Sequence, residues 1–252
     1  MKFPLFQTAS AVRTAFAVSA LTLAAAVQAD GHPWKQITEA NGDLNRDGKA
    51  DKVVVEQMQN PKNIIKNDGL GSKTLNTNPR RLRVMLAEKG GWRTVSEARW
   101  LPPEHDAETP CLTDPLYDGG INVEKGILSV NLNYFLSCGS WTVSNHTFKY
   151  RYQNGRMVLI GADGRSHARN GGYGTGVSIN FPTRKITATG FIQIFDAKSH
   201  TENGGRLKKQ QSRFAKLKAG QPVYLENKPA DPYDLLQESD KRVAEWLYKA
   251  RY

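Results

Sequence analysis

Phe148-Lys-Tyr150-Arg-Tyr152-Gln-Asn154-Gly155-Arg-Met157-Val-Leu-Ile160 decides the fold class. Phe148, Tyr150 and Tyr152 alternate with polar residues, the period of a strand with one buried face. Asn154-Gly155 supplies two residues that tolerate positive φ, as a tight hairpin turn requires. Met157 to Ile160 is then the returning strand. Downstream, Val177 to Phe181 and Ile186 to Phe195 read as further strands, and the Gly-, Arg- and Asn-rich residues 161–176 read as a surface loop. Upstream, a strand-rich block begins near Ile121, and Gly126 to Leu136 has the composition of a buried strand.

The N-terminal part repeats the pattern. Lys52 to Glu56 is a short β-branched run. Leu82, Val84 and Leu86 alternate with Arg81, Arg83 and Met85, which predicts a half-buried strand with a largely basic outer face. Gly90-Gly91 turns the chain toward Trp92 to Val95. Residues 57–80 between these strands, rich in Asn, Gly, Lys and Pro, predict a long exposed loop. The one helical signal is C-terminal: Asp231 can cap, Pro232 suits the first helical position, and Leu235, Leu236, Val243, Trp246 and Leu247 share a side. That helix is expected to run to about Tyr248, with a break near Ser239. The expected fold is mainly β, with antiparallel sheets arranged as a sandwich or partial propeller and a C-terminal α-helix. Leu101-Pro-Pro103 marks the boundary between an N-terminal lobe (30–100) and a larger lobe (101–252), unless the two form one domain.

Residues 1–29 read as a secretory signal peptide. Lys2 and Arg13 give the positive region, Thr14 to Val27 is apolar and alanine-rich, and Val27-Gln-Ala29 is a cleavage site. The apolar run is short for a membrane span. A periplasmic or secreted location is expected. Removing Lys2 and Arg13 from the formal +11 leaves a mature charge of +9, which favours an anionic envelope component or an acidic protein as partner. Nucleic acid is not expected for an exported chain. In an oxidising compartment the two cysteines, Cys111 and Cys138, predict a disulfide. Unstrained, it contributes on the order of 3 kcal/mol. Cys138-Gly-Ser-Trp141 lacks the nucleophile of a papain-like thiol enzyme.

Asp43-Leu-Asn45-Arg-Asp47-Gly48-Lys49-Ala-Asp51 carries the clearest chemistry. Asp43, Asn45 and Asp47 stand two residues apart, so their oxygens can converge on one hard cation, and Gly48 permits a sharp turn. The Lys49 carbonyl and the Asp51 carboxylate complete a Ca²⁺ ligand set, Asp51 directly or through water. The spacing matches the first nine positions of an EF-hand loop, but Val54 stands where the bidentate Glu belongs and a strand follows. The stretch instead resembles the Ca²⁺ loop of the FG-GAP repeat found in integrin α-subunits and secreted bacterial proteins, over about residues 41–95. The resemblance implies Asp43, Asn45, Asp47 and Asp51 as side-chain ligands and Lys49 as a backbone ligand, with Ca²⁺ mainly structural. It does not extend to the seven-bladed propeller of that family: one copy is visible, and the mature chain is too short for seven blades of about 40–45 residues. An Asx-rich turn without metal is the alternative.

Other candidates are weaker. The five histidines form no zinc motif and read as surface or loop residues. Glu104-His105-Asp106 are neighbours whose side chains point apart. Gly171 to Gly176 lacks a P-loop ending. Arg206, Lys208, Lys209, Arg213, Lys216 and Lys218 form a basic run without an acid, either an anionic-partner contact or a solvated face. The functional expectation is an exported calcium-binding interaction module of a bacterial envelope. A hydrolase of an envelope polymer and an inhibitor or immunity protein of a secreted toxin are the alternatives.

Overall fold

The computed structural model describes residues 31–117, 120–169, 171–195 and 205–249, with 193–195 and 205–209 by their backbone alone. The expected signal peptide lies outside the described residues. The N-terminal part places β1 (Trp34–Gly42), β2 (Asp51–Met58), β5 (Arg80–Glu88) and β6 (Gly91–Ala98) in one antiparallel sheet in the order β1-β2-β5-β6; β3 (Ile64–Lys66) and β4 (Thr74–Asn76) pair between β2 and β5. Seven consecutive antiparallel strands follow: β7 (Gly120–Glu124), β8 (Ile127–Phe135), β9 (Thr142–Gln153), β10 (Arg156–Ala168), β11 (Gly172–Asn180), β12 (Lys185–Phe195) and β13 (Gly205–Lys216). Helices α1 (Pro232–Ser239) and α2 (Lys241–Lys249) are the last of the described elements.

The quoted hairpin is β9–β10, and Asn154 and Gly155 both have positive φ, +50° and +80°. Its alternation sets the layers. Leu128, Val130, Phe148, Tyr150, Met157 and Leu159 face Val53, Val55, Leu82 and Val84 of the four-stranded sheet in one core. Further along the same face, Val177, Ile179, Ile186 and Ala188 are covered by Leu236, Val243 and Leu247 of the helices. The protein is thus mainly β, its antiparallel sheets forming a sandwich-like stack, and the two lobes share the first core. The helical stretch is broken after Ser239, as its sequence suggests, and Asp231 caps α1 through the Tyr233 amide at 2.7 Å.

Three expectations are corrected. The supposed loop at 161–176 is largely strand: β10 runs to Ala168 and β11 starts at Gly172. Its glycines allow close approach rather than looseness. A Cβ on Gly164 would stand 2.9 Å from Tyr233 Cε2 of α1, and Gly174 lies beneath Phe191. Second, residues 57–80 are not a plain exposed loop. They carry the β3–β4 pair, and the buried Asn78 bonds Asn60 at both its amide and carbonyl.

Third, the basic face of β5 is not solvated. Glu56 of β2 receives Arg81 Nε at 2.6 Å and Arg83 Nε and Nη2 at 2.8 Å each, and Arg81 also stacks 4.4 Å from the Trp34 ring centre. Arg81 is 6% and Glu56 9% exposed. Burial pushes the Glu56 carboxyl up, but hydrogen bonds from Arg83 and Arg81 outweigh it and hold the group below its usual range. Arg80, 2% exposed, grips Asp114 with both terminal nitrogens at 2.6 and 2.7 Å and ties this sheet to the crossover from β6 to β7.

Removing Glu56 therefore leaves a buried guanidinium without its main carboxylate. Glu56→Ala is expected to lower stability to urea by on the order of 3 kcal/mol. Because its folded-state pKa is depressed, the wild-type contribution is present above the ordinary carboxylate pKa of about 4.3 and disappears as pH falls through the lower folded value. Equal urea midpoints for variant and wild type at pH 7 would contradict this role.

Candidate calcium loop and aromatic cleft

The loop of residues 43–51 joins β1 to β2 as an antiparallel hairpin connection. Arg46 and Gly48 take positive φ, +63° and +84°, and fold the loop back on itself. Asp43 Oδ1 and Asn45 Oδ1 both accept from the Asp47 amide, at 3.1 and 3.0 Å. Asp43 Oδ2 accepts from the Gly48 amide at 2.9 Å, and Asp47 Oδ1 from Lys49 at 2.9 Å. The Lys49 amide holds the Asp47 carboxyl below its usual range. Four oxygens from three side chains of the expected ligand set, Asp43, Asn45 and Asp47, therefore already point into the loop, and a carboxylate or amide oxygen with one hydrogen bond retains a lone pair. Carboxylate and amide oxygens are the donor type that hard cations take.

Asp51 has a different place. It is 0% exposed, and its oxygens accept from three amides: Leu44 at 2.8 Å, Asn45 at 3.3 Å and, across the sheet, Ala87 at 3.0 Å. The carboxylate pins the loop to the end of β5. Among the described residues, no three His, Cys, Asp or Glu side chains come together as a metal-holding group. The convergent oxygens are those of Asp43, Asn45 and Asp47. Asp51→Ala strands three amides, the buried Leu44 among them, and is expected to cost on the order of 3 kcal/mol, measured by urea denaturation. A loss no larger than that of Asp47→Ala would show that the anchor is dispensable.

Cys111 and Cys138 are disulfide-bonded, with Cα atoms 5.4 Å apart. The bond ties the crossover to the β8–β9 connection, beside the Leu112–Leu136 bridge. The basic run falls mostly on edge strand β13, where alternation divides it. Lys216 pairs with Lys185 on the open face. Arg213 pairs with Ala188 on the helix-covered face and stacks 4.8 Å from the Trp246 ring centre. Lys218 follows the strand, its amide bonded to Ser239 at 3.3 Å. Arg206, Lys208 and Lys209 are described by backbone alone.

A second site carries no motif in the sequence. Between the two covers of the seven-stranded sheet lies a cleft of about 780 Å³, lined by Trp100, Leu132, Tyr134, His146, Phe148 and Asp231 among others. Its floor comes from the same alternation as the core: Ser144, His146, Phe148 and Tyr150 point one way along β9. His146, read from sequence as a surface or loop residue, has a side chain 15% exposed and sits between Leu132 and Gly164. Its Nε2 is 3.4 Å from Asp231 Oδ2, while the other oxygen of Asp231 caps α1. Tyr233 reaches Thr175 Oγ1 and O at 3.1 and 3.0 Å, which fixes α1 and therefore Asp231 against β11. Burial lowers the His146 pKa, with Asp231 pulling the other way; burial raises that of Tyr134, and Asp231 adds to it.

A histidine whose folded pKa lies below its ordinary value of about 6.5 destabilises the fold as pH falls through 6.5, because the unfolded chain takes up the proton first. His167, also lowered by burial, acts in the same direction. His146→Gln is expected to lose less stability between pH 7 and 5 than wild type, measured by thermal midpoints. An unchanged slope would place the lability elsewhere.

No protein-family model, curated protein or solved structure matches the chain.

Proposed function

We propose that this chain is an exported calcium-binding protein that acts as a binding module in a bacterial envelope, periplasmic or secreted, with Ca²⁺ in a mainly structural role. The observation that supports it most is the convergence of Asp43 Oδ1 and Asn45 Oδ1 on one amide within a loop whose next carboxylate, Asp47, is held in its charged form. In this reading Asp43, Asn45, Asp47 and the Lys49 carbonyl bind the ion, four of the five ligands that the FG-GAP resemblance implies; the fifth, Asp51, is engaged by three amides instead. Asp51 holds the loop to the sheet, so ion binding and core packing stabilise one another. The disulfide and the mature charge of +9 suit an oxidising compartment and an anionic partner.

A hydrolase of an envelope polymer is the second reading, and the His146–Asp231 contact within a cleft favours it. Turnover of a labelled envelope polymer that is lost in His146→Gln would move the assignment to that class.

The calcium reading predicts a thermal midpoint that rises with Ca²⁺ and falls with EDTA. The stabilisation is about 2.7 kcal/mol at a hundredfold excess over Kd, if the folded state alone binds. Asp47→Ala is expected to lose the response while remaining folded. A calcium-indifferent wild type would reduce the loop to an Asx-rich turn.

A further inference from the structure

Four rings form a row along the cleft. Trp100 and Phe148 have centroids 5.8 Å apart at 84°, Phe148 and His146 6.3 Å at 63°, and His146 and Tyr134 5.6 Å at 61°. Each ring meets the next edge to face, the arrangement aromatic pairs prefer. Trp100 is fixed by its Nε1 donating to the Leu225 carbonyl at 2.7 Å. His146 is fixed through Asp231, itself held by the α1 cap. Facing the row are Lys228, Pro229, Asp231 and the exposed Asp234. The volume of about 780 Å³ lies within the range of about 300–1,000 Å³ typical of small-ligand sites.

We propose that this cleft binds the sugar rings of an uncharged glycan. This deepens the binding-module reading and rests on it, the ligand of this cleft being distinct from the anionic partner that the net charge favours. A sugar ring presents C–H faces that need apolar, flat surfaces and hydroxyls that need directed partners. The ring row supplies the first. Asp231, Asp234, Lys228, Ser144 and the Tyr134 hydroxyl supply acceptors and donors for the second. An apolar ligand would leave those polar groups desolvated without partners. The charges also argue for a neutral ligand: Lys228 offsets one of the two carboxylates, and Asp231 is already engaged by His146 and by the Tyr233 amide. A cationic amine caged by the rings is the competing occupant, because cations also favour aromatic faces.

The cleft lies among β8, β9 and the start of α1, whereas the calcium loop joins β1 and β2, so the two readings are tested separately. The mature chain in Ca²⁺ would be applied to an array of neutral, N-acetylated and uronate-containing oligosaccharides, and hits measured by titration calorimetry. Tetramethylammonium chloride would be titrated in parallel. The expected result is binding of a neutral or N-acetylated oligosaccharide, weakened at least tenfold in both Tyr134→Ala and Asp234→Asn. Asp234 is exposed, so its variant keeps the test valid should Tyr134→Ala fail to fold. Binding of no oligosaccharide, equal binding by wild type and Asp234→Asn, or preference for tetramethylammonium or uronate-containing chains would overturn the proposal. Glycan binding without a calcium response would remove the calcium reading alone; the reverse would remove the glycan proposal alone.

Discussion

The governing constraint is the apolar face of a seven-stranded sheet that no single neighbouring layer covers. From Leu128 on β8 to Ala188 on β12, inward residues are buried along its width. Apolar area of that extent cannot be left in water, since each fully buried large aliphatic or aromatic side chain contributes about 1.5–3 kcal/mol. The four-stranded sheet covers one part and the helical pair the other. Much of the remaining architecture serves those two covers. Arg80 and Asp114 hold the crossover to the first cover, and the Tyr233–Thr175 contacts seat the second.

Two separate covers leave a seam, and the cleft lies there. Its polar groups belong to structural devices of the seam: Asp231 is a helix cap and Lys228 lies on the segment leading into it. The aromatic row continues the side of β9 that further along becomes core. A concave, rigid and partly apolar site therefore follows from the layering without a dedicated insertion. The 43–51 loop shows the same economy at the other end of the first sheet. Asp51, with three amide partners and no exposure, couples the loop to β5. Ordering the loop with an ion would thereby reinforce a strand that lines the shared core.

How much of this was legible in sequence depends on whether one dimension carried the relevant contact. The β9–β10 hairpin was readable because alternation and Asn154-Gly155 are local. So was the disulfide, from two cysteines in an expected oxidising compartment, and so was the break after Ser239. β10 beyond Ile160 and the start of β11 were hidden, because Gly161, Gly164, Gly174 and Gly176 signal a loop in sequence while two of them admit Tyr233 and Phe191 at close range. The buried state of Arg81 was hidden because its partners, Glu56 and Trp34, come from β2 and β1. His146 had a usable signal that was missed: it shares parity with Phe148 and Tyr150, which places it on the inward face. Its pairing with Asp231 spans two elements and had none.

The most direct test of the calcium account is a crystal structure of the mature protein grown with Ca²⁺, with the ion located by anomalous scattering. The account predicts one peak within the 43–49 turn, bound by Asp43, Asn45, Asp47 and the Lys49 carbonyl, with Asp51 still on the amides of Leu44, Asn45 and Ala87. A loop without a peak at saturating calcium would contradict it.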